Sequence, residues 1–181
     1  MALTHLRALA VGGLVVAGAV VVLAASDVRI TPVVSEDRVF ANFAAPDAFS
    51  DDVRAAVQSG LPVTITYVTE LRRNSTLWFD QIVASAQVAS SVKFDILTGM
   101  YQVSKARSGT VQWSETTPKE GQMRLWVTEF ERVALTDTSR LHPTGEYYVR
   151  VRARDSLPRG FSLWPWGRSD TSGRVELPAI R

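Results

Sequence analysis

The sequence contains no cysteine and only two histidines, His5 and His142. The absence of cysteine excludes a disulfide framework, a thiolate metal site, an iron–sulfur cluster and a cysteine nucleophile. His5 lies in an N-terminal leader, so a single histidine is left for the rest of the chain. Catalysis by a histidine dyad and metal binding by several histidines are therefore excluded as well. Internal repeats, low-complexity tracts and long linkers are also absent.

The composition is that of a folded protein with an uneven distribution of charge. Of the 181 residues, 46% are apolar and 21% are charged, which fits a packed core and one domain with an appendage. Residues 26–137 carry 11 basic and 14 acidic side chains, whereas residues 138–181 carry eight arginines against four acids. This basic C-terminal quarter predicts an anionic partner, such as a lipid headgroup or an acidic protein face. No nucleic-acid-binding motif accompanies it, so nucleic acid is not an expected partner.

The leader comprises residues 1–25. Arg7 precedes a run of 18 small or aliphatic residues, Ala8 to Ala25, which ends in small residues that resemble an export cleavage site. This pattern predicts a signal peptide. The alternative is an uncleaved anchor of the inner membrane formed by residues 8–25, because 18 residues reach the lower limit for spanning a bilayer. In either case residues 26–181 are predicted to form a single domain in the periplasm or another extracytoplasmic space.

Apolar residues alternate with polar ones along much of the chain after the leader, which is the period of half-buried β-strands. Turn residues such as Thr98-Gly99 and Ser108-Gly109 separate consecutive segments and predict antiparallel hairpins. The sequence therefore predicts a mainly β protein. The predicted strands cover residues 28–30, 38–43, 61–71, 88–96, 101–104, 111–113, 147–153 and 173–180.

Two short helices are predicted between the strands. Ser50 is a good N-cap for a helix that ends at Gly60, and the acidic residues after Ser50 lie where the helix dipole favours them. Residues 117–120, Thr-Pro-Lys-Glu, match the capping box of a second helix, with proline at its first position. The apolar side chains that recur at helical spacing after this box, and that we expect to face the core, are Met123, Trp126, Val127 and Phe130.

Residues 141–153 resemble the tyrosine corner of fibronectin-type and immunoglobulin-like sandwiches. Leu141, Pro143 and Tyr147 have the spacing of that motif, and alternating Val and Ala follow. The resemblance implies that Tyr147 is buried and that its hydroxyl is bonded to the upstream backbone. It also implies an antiparallel immunoglobulin-like β-sandwich, here with one or two short packed helices.

The same strand register predicts an exposed basic face. Odd-numbered positions from Tyr147 to Ala153 point inward and even-numbered positions point outward. Tryptophan and arginine together are typical of interaction hot spots and of membrane interfaces. The alternative is a solvated strand face, with the tryptophans closing the end of the sandwich. The candidate interaction surface consists of Tyr148, Arg150, Arg152, Arg154, Trp164, Trp166 and Arg168.

No pattern in the chain is typical of a catalytic or metal site. His142 is a lone histidine in a connection, with no matched carboxylate or second ligand beside it. The acidic residues lack the spacing and central glycine of a calcium loop, and no Gly-x-Ser-x-Gly nucleophile motif occurs. We therefore expect a protein that is not an enzyme and that uses no metal or cofactor.

Four segments together resemble the bacterial domain-of-unknown-function family 4390. They are residues 50–67, Leu-Trp-Phe-Asp at residues 77–80, the arginine-rich strand at residues 145–154, and Leu-Trp-Pro-Trp-Gly-Arg at residues 163–168. The resemblance covers nearly all of the chain after the leader. It implies an exported or membrane-anchored protein, in some members encoded beside a membrane sensor histidine kinase. It implies no activity, cofactor or catalytic residue.

From these observations we expect an exported, non-enzymatic module of the periplasm or cell envelope that acts through contacts with a protein partner. A membrane sensor kinase system is a candidate for that partner in view of the resemblance. The alternative is a periplasmic protein that binds an anionic ligand or lipid, including a membrane surface, with its arginine and tryptophan face.

The leader yields a prediction about location. The full-length chain should leave the cytoplasm, and removal of residues 1–25 should leave a soluble cytoplasmic protein, because the apolar run directs export. Cell fractionation of the two forms, followed by immunodetection, measures this. A full-length chain that stays unprocessed in the cytoplasm would contradict the prediction.

Overall fold

The computed structural model describes residues 28–75, 79–157 and 171–177, and this part of the chain forms strands and two α-helices. The strands are β1 (Arg29–Ser35), β2 (Arg38–Ala44), β3 (Val63–Arg73), β4 (Gln81–Asp95), β5 (Met100–Arg107), β6 (Thr110–Thr117), β7 (Glu129–Asp137), β8 (Tyr147–Asp155) and β9 (Ser172–Glu176), and the helices are α1 (Asp51–Gln58) and α2 (Glu120–Thr128).

Two antiparallel sheets enclose one hydrophobic core. The small sheet has the order β1-β2-β7, and the large sheet has the order β6-β5-β4-β3-β8-β9. Buried side chains from both sheets and both helices form a single cluster. The prediction of a mainly β, antiparallel sandwich with two short helices is therefore confirmed. Since the large sheet has twice as many strands, part of its inner face extends beyond the small sheet.

The large sheet follows the predicted alternation closely. The inward positions of β3 from Val63 to Leu71 are all buried, and β3, β4, β5 and β6 form the predicted succession of hairpins. Strand β4 begins at Gln81, seven residues before the predicted start. Its first half is rich in small and polar residues, so the alternation is weak there, and it pairs with β3 through a bulge at Leu71 and Arg72. Strand β9 ends at Glu176, and residues 178–180 of the predicted last strand lie outside the described residues.

Helix α1 forms as the sequence predicts. The Ser50 hydroxyl accepts a hydrogen bond from the Val53 amide (3.3 Å), which satisfies one of the free N–H groups of the first turn. At the other end Gly60 has a φ of +84°, a conformation that favours glycine after a helix. The side chains of Val53, Ala56 and Val57 are fully buried and hold the helix on the core.

The predicted start of the second helix is wrong. Helix α2 begins at Glu120, and Lys119 is its N-cap, without a side-chain cap. Thr117 is instead the last residue of β6, where it pairs with Tyr101, and its hydroxyl oxygen accepts from the Lys119 amide at 3.1 Å. Strand pairing thus fixes Thr117 in the extended conformation, and the helix can begin only after the proline that follows.

The predicted end of this helix also needs correction. Helix α2 ends at Thr128, and Phe130 belongs to β7, where it pairs with Phe43 of β2. Phe130 is buried as expected. The chain passes directly from helix to strand on the same side of the core. Phe130 therefore faces the core at a helical spacing although it lies in a strand. Strand β7 itself is absent from the sequence prediction.

A buried hydrogen-bonded centre connects α2 to the large sheet. The carbonyl oxygen of Val127 accepts from the Tyr67 hydroxyl (2.9 Å) and from the Ser90 hydroxyl (2.8 Å). Burial raises the pKa of Tyr67, so its hydroxyl keeps its proton and donates. The ring of Tyr67 also lies 5.3 Å from that of Phe43 and 5.1 Å from that of Phe130, centroid to centroid. Both sheets and α2 meet at this point.

The tyrosine corner expected at Tyr147 is present. Its side chain is buried, and its hydroxyl oxygen accepts a hydrogen bond from the His142 amide at 2.7 Å. The ring lies so close to Gly145 that a Cβ there would come within 2.6 Å of it. The local expectation is confirmed, and the resemblance to immunoglobulin-like domains as a whole stays a prediction.

We predict that Tyr147→Phe lowers the free energy of unfolding by about 1 kcal/mol, because it leaves the His142 amide without its acceptor. The matched control is Tyr101→Phe. Tyr101 is equally buried, and no hydrogen bond of its hydroxyl occurs within the described residues. Urea denaturation of both variants measures the difference. Equal stability losses in the two variants would show that the corner bond contributes nothing.

Candidate functional site

A groove of about 630 Å³ lies between α2 and the free edge of β7. Its floor is the inner face of β5 and β6, the part of the large sheet that the small sheet leaves uncovered. The groove exists because β7 is the last strand of the small sheet, while the large sheet continues beyond it. Its aromatic and amide lining consists of Gln112, Trp113, Gln122, Trp126 and Phe130, and Leu125 adds an exposed apolar side chain at the rim.

Aromatic side chains and one lysine form the centre of the groove. The rings of Trp113 and Trp126 meet edge to face, with centroids 5.1 Å apart. The Lys105 ammonium lies 4.8 Å from the centroid of Phe130 and 5.7 Å from that of Trp113, within cation–π range. Both tryptophans are only partly buried. The groove therefore presents aromatic surface to a ligand.

Basic side chains of β5 cover the edge of β7. Lys105 donates to the Glu129 carbonyl at 2.7 Å, and Arg107 donates to the Arg132 carbonyl at 3.1 Å. Burial lowers the pKa of Lys105, while the carboxylates of Glu129 and Glu131 oppose that shift. Neither carboxylate forms an ion pair within 4 Å in the part of the chain that the structure describes. Their oxygens are thus available to a ligand.

The backbone of β7 is bulged beside the groove. Arg132 has a φ of +50°, and its amide donates to the Asn42 side-chain oxygen at 2.8 Å instead of to a backbone carbonyl of a neighbouring strand. The Arg132 guanidinium lies 4.5 Å from the centroid of the Phe40 ring. Bulges at sheet edges hinder the addition of a further strand. The groove is therefore unsuited to the addition of a ligand as a further strand along β7.

The sequence signal for this groove is partial. Lys105 and Trp113 pair across the hairpin whose turn is Ser108-Gly109, but Lys105 lies just outside the predicted strand 101–104, and a bulge after Lys105 sets this pairing. Trp126 is predicted only to pack against the core. The third wall is β7, a strand that is not among those predicted. The groove as a whole therefore cannot be predicted from the sequence.

Tyr148 of the predicted arginine face lies on the outer side of β8 but is buried, with 4% of its surface exposed. Its hydroxyl donates to Asp80 at 2.6 Å, and the Arg174 guanidinium stacks 3.6 Å from its ring centroid. The Tyr148 hydrogen bond holds the pKa of Asp80 below its usual value. Burial and then this hydrogen bond raise the pKa of Tyr148. The tyrosine thus serves as a support for neighbouring side chains.

Arg152 has a partner within the sheet. It donates to the carboxylate of Glu70 at 2.6 Å, and Arg72 approaches the other carboxylate oxygen at 3.5 Å. Glu70 is buried on the outer side of β3, so its negative charge needs these partners. Arg150 is half-buried and Arg154 is exposed. Within the described residues neither of these two forms an ion pair.

Three members of the predicted surface, Trp164, Trp166 and Arg168, lie outside the described residues. The arginines of β8 are brought together as expected, on one face of the large sheet and far from the groove at its other edge. The role of the arginine face as an interaction surface therefore stays a prediction.

His142 lies exposed in the connection before β8, and its Nδ1 is 2.9 Å from the Thr144 hydroxyl. A depression of about 830 Å³ beside it is larger than the groove but is lined mainly by residues of turns and connections. Within residues 28–75, 79–157 and 171–177, no three His, Cys, Asp or Glu side chains are grouped so that they could hold a metal ion. In the same ranges neither helix is long and apolar enough to cross a membrane.

We predict that Arg152→Gln and Arg154→Gln differ in stability. The first should lower the free energy of unfolding by roughly 1 kcal/mol, because it weakens the compensation of the buried Glu70 carboxylate. The second removes a cation with no ion pair in the described chain and should change the stability little. Thermal unfolding of both variants tests this, and equal melting temperatures would contradict it.

Comparison with known proteins gives one finding about the family. Neither the search of curated proteins nor the search of solved structures returned a match. The family profile described as Domain of unknown function (DUF4390) matches residues 24–165, which is most of the chain. This confirms the resemblance carried by the arginine-rich strand and the segments around it. The chain belongs to the DUF4390 family.

Proposed function

We propose that this DUF4390 protein is an exported, non-enzymatic binding module of the cell envelope, and that the aromatic groove beside β7 binds its protein partner. The observation that carries the proposal is the groove itself. Two partly exposed tryptophans and the exposed Leu125 line a volume of about 630 Å³. Tryptophan-lined concave surfaces are where binding energy concentrates in protein interfaces.

The chemistry of the groove indicates the kind of segment that fits. The rings of Trp113 and Trp126 favour an apolar or aromatic side chain, and the amides of Gln112 and Gln122 can bond to a peptide backbone. The carboxylates of Glu129 and Glu131 can receive a basic group beside it, while Lys105 and Arg107 of the same lining balance their charge before a ligand binds. A segment that combines an apolar anchor with a lysine or arginine therefore matches the groove.

The export half of the proposal rests on the leader, in which Arg7 precedes the 18-residue apolar run. A partner in the cell envelope follows from that location. A membrane sensor kinase is the candidate that the resemblance implies, and its extracytoplasmic part is the place to look for such a segment.

Site-specific photo-crosslinking in cells tests the groove. A photoreactive residue in place of Leu125, which is 48% exposed at the rim, should give a discrete cross-linked product with the partner. The control is the same substitution at Ile96, which is 66% exposed in the turn after β4 and outside the groove. The product should disappear when Glu129 and Glu131 are changed to Gln, since the basic group then loses its counterpart. Identical products from both positions, or none from Leu125, would contradict the proposal.

A further inference from the structure

We propose that the edge of the large sheet formed by β8 and β9 rests on an anionic phospholipid surface. Arginines on the outer face of this edge, next to the strand on which the leader joins the fold, would hold it there. This surface is separate from the groove, which lies at the opposite edge of the same sheet, so the two proposals stand or fall independently.

Val28, the first described residue, lies against β9. Its carbonyl oxygen lies so close to β9 that a Cβ on Gly173 would be 2.7 Å from it, and Gly173 pairs with Val151 of β8. The chain therefore enters the fold directly beside the β8–β9 edge.

Only a short length of chain lies between this point and the apolar run. The run ends at Ala25, so only Ser26 and Asp27 separate it from Val28. Three Cα–Cα steps span roughly 11 Å at most. An apolar run that stays in a bilayer therefore keeps Val28, and with it the β8–β9 edge, within that distance of the membrane interface.

The outer face of β8 and β9 is rich in positive charge. Arg174 follows Gly173 in β9 and lies directly opposite Arg150 of β8, and further arginines extend this face along β8. Val28 lies against the inner face of β9 at Gly173, whereas these arginines point from the outer face, so the thickness of one strand separates the two. The tether of roughly 11 Å is comparable with the screening length of about 10 Å at 0.1 M salt, so the charge of these arginines can act on headgroups at the interface. The outward charged side chains of β8 and β9 are Arg150, Arg152, Arg154 and Arg174 against Glu176.

Groups within the fold compensate this charge only in part, since Glu70 of β3 lies opposite Arg150 and Arg174 stacks on Tyr148 near Asp80. Like charges directly opposite each other in a sheet are unfavourable, yet Arg150 faces Arg174, and in the described chain neither forms an ion pair. The buried carboxylate of Glu70 is already taken up by Arg152 and Arg72. Anionic headgroups would supply the missing negative charge at the place where the tether brings them.

The absence of cysteine makes the test direct, because a single introduced cysteine can be labelled without background. We would place it at Ser172 on β9 and, as the control, at Ser114 on β6. Both serines are exposed, and they lie at opposite edges of the large sheet. The labelled full-length chain is reconstituted into vesicles of phosphatidylcholine with or without phosphatidylglycerol. Quenching of each label by a quencher attached to lipid headgroups is then measured.

The label at residue 172 should be quenched several-fold more than the label at residue 114 when phosphatidylglycerol is present. High salt, or vesicles of phosphatidylcholine alone, should remove most of this difference. The double change Arg150→Gln and Arg154→Gln should do the same without lowering the melting temperature. Lys119→Gln with Arg140→Gln removes the same number of charges elsewhere and should leave the quenching unchanged.

Three results would overturn the proposal. Equal quenching at the two positions means that the edge does not face the membrane. Quenching at residue 172 that is indifferent to lipid charge and to the arginines means that the tether alone sets the position. Cleavage of the chain near Ala25, with the product recovered free of phosphatidylglycerol vesicles, means that the arginine face does not bind lipid. An acidic protein would then be the partner of that face.

Discussion

The paired hydrogen bonds to the Val127 carbonyl are the interaction on which the rest of the arrangement depends. A carbonyl in the last turn of a helix has no partner within the helix, and a buried one must find a partner elsewhere. Tyr67 of β3 and Ser90 of β4 donate to it, and this fixes the C-terminal end of α2 over the centre of the large sheet. Because β7 begins immediately after α2, the same bonds determine where the small sheet ends.

The unequal size of the two sheets follows from this placement, and it creates the groove. Strand β7 lies over the middle of the large sheet, so β5 and β6 remain uncovered on their inner face and form the floor of the groove. At the other side β1 lies against β9, and the chain enters the fold there through Val28. A domain seated on a membrane by its arginine edge would therefore turn its aromatic groove away from the lipid. Under the two proposals, the groove would then face a neighbouring protein of the envelope.

The candidate surfaces differ in how far the sequence could predict them. The arginine face follows from the period of two along β8, and its outward direction is correct since Val149, Val151 and Ala153 are buried. Which of its side chains are buried or paired could not be predicted, because this depends on strands distant in sequence. Glu70 of β3 neutralises Arg152, and Asp80, which precedes β4, holds Tyr148. The groove combines residues of β4, β5, β6, α2 and β7. Only the hairpin that holds Lys105 and Trp113 follows from the predicted turn, and the bulge that pairs these two residues does not.

The sequence by itself determined the elements with local physical causes. Alternation fixed which side chains of β3 and β8 face inward, Ser50 and Gly60 fixed the ends of α1, and the spacing from Leu141 to Tyr147 fixed the corner. Tertiary structure alone decided where α2 begins and ends. Pairing of Thr117 with Tyr101 overrides a good capping box, and pairing of Phe130 with Phe43 overrides helical spacing. In both cases hydrogen bonds to a strand far along the chain outweigh local preferences, and neither those partners nor the groove they create is encoded by neighbouring residues.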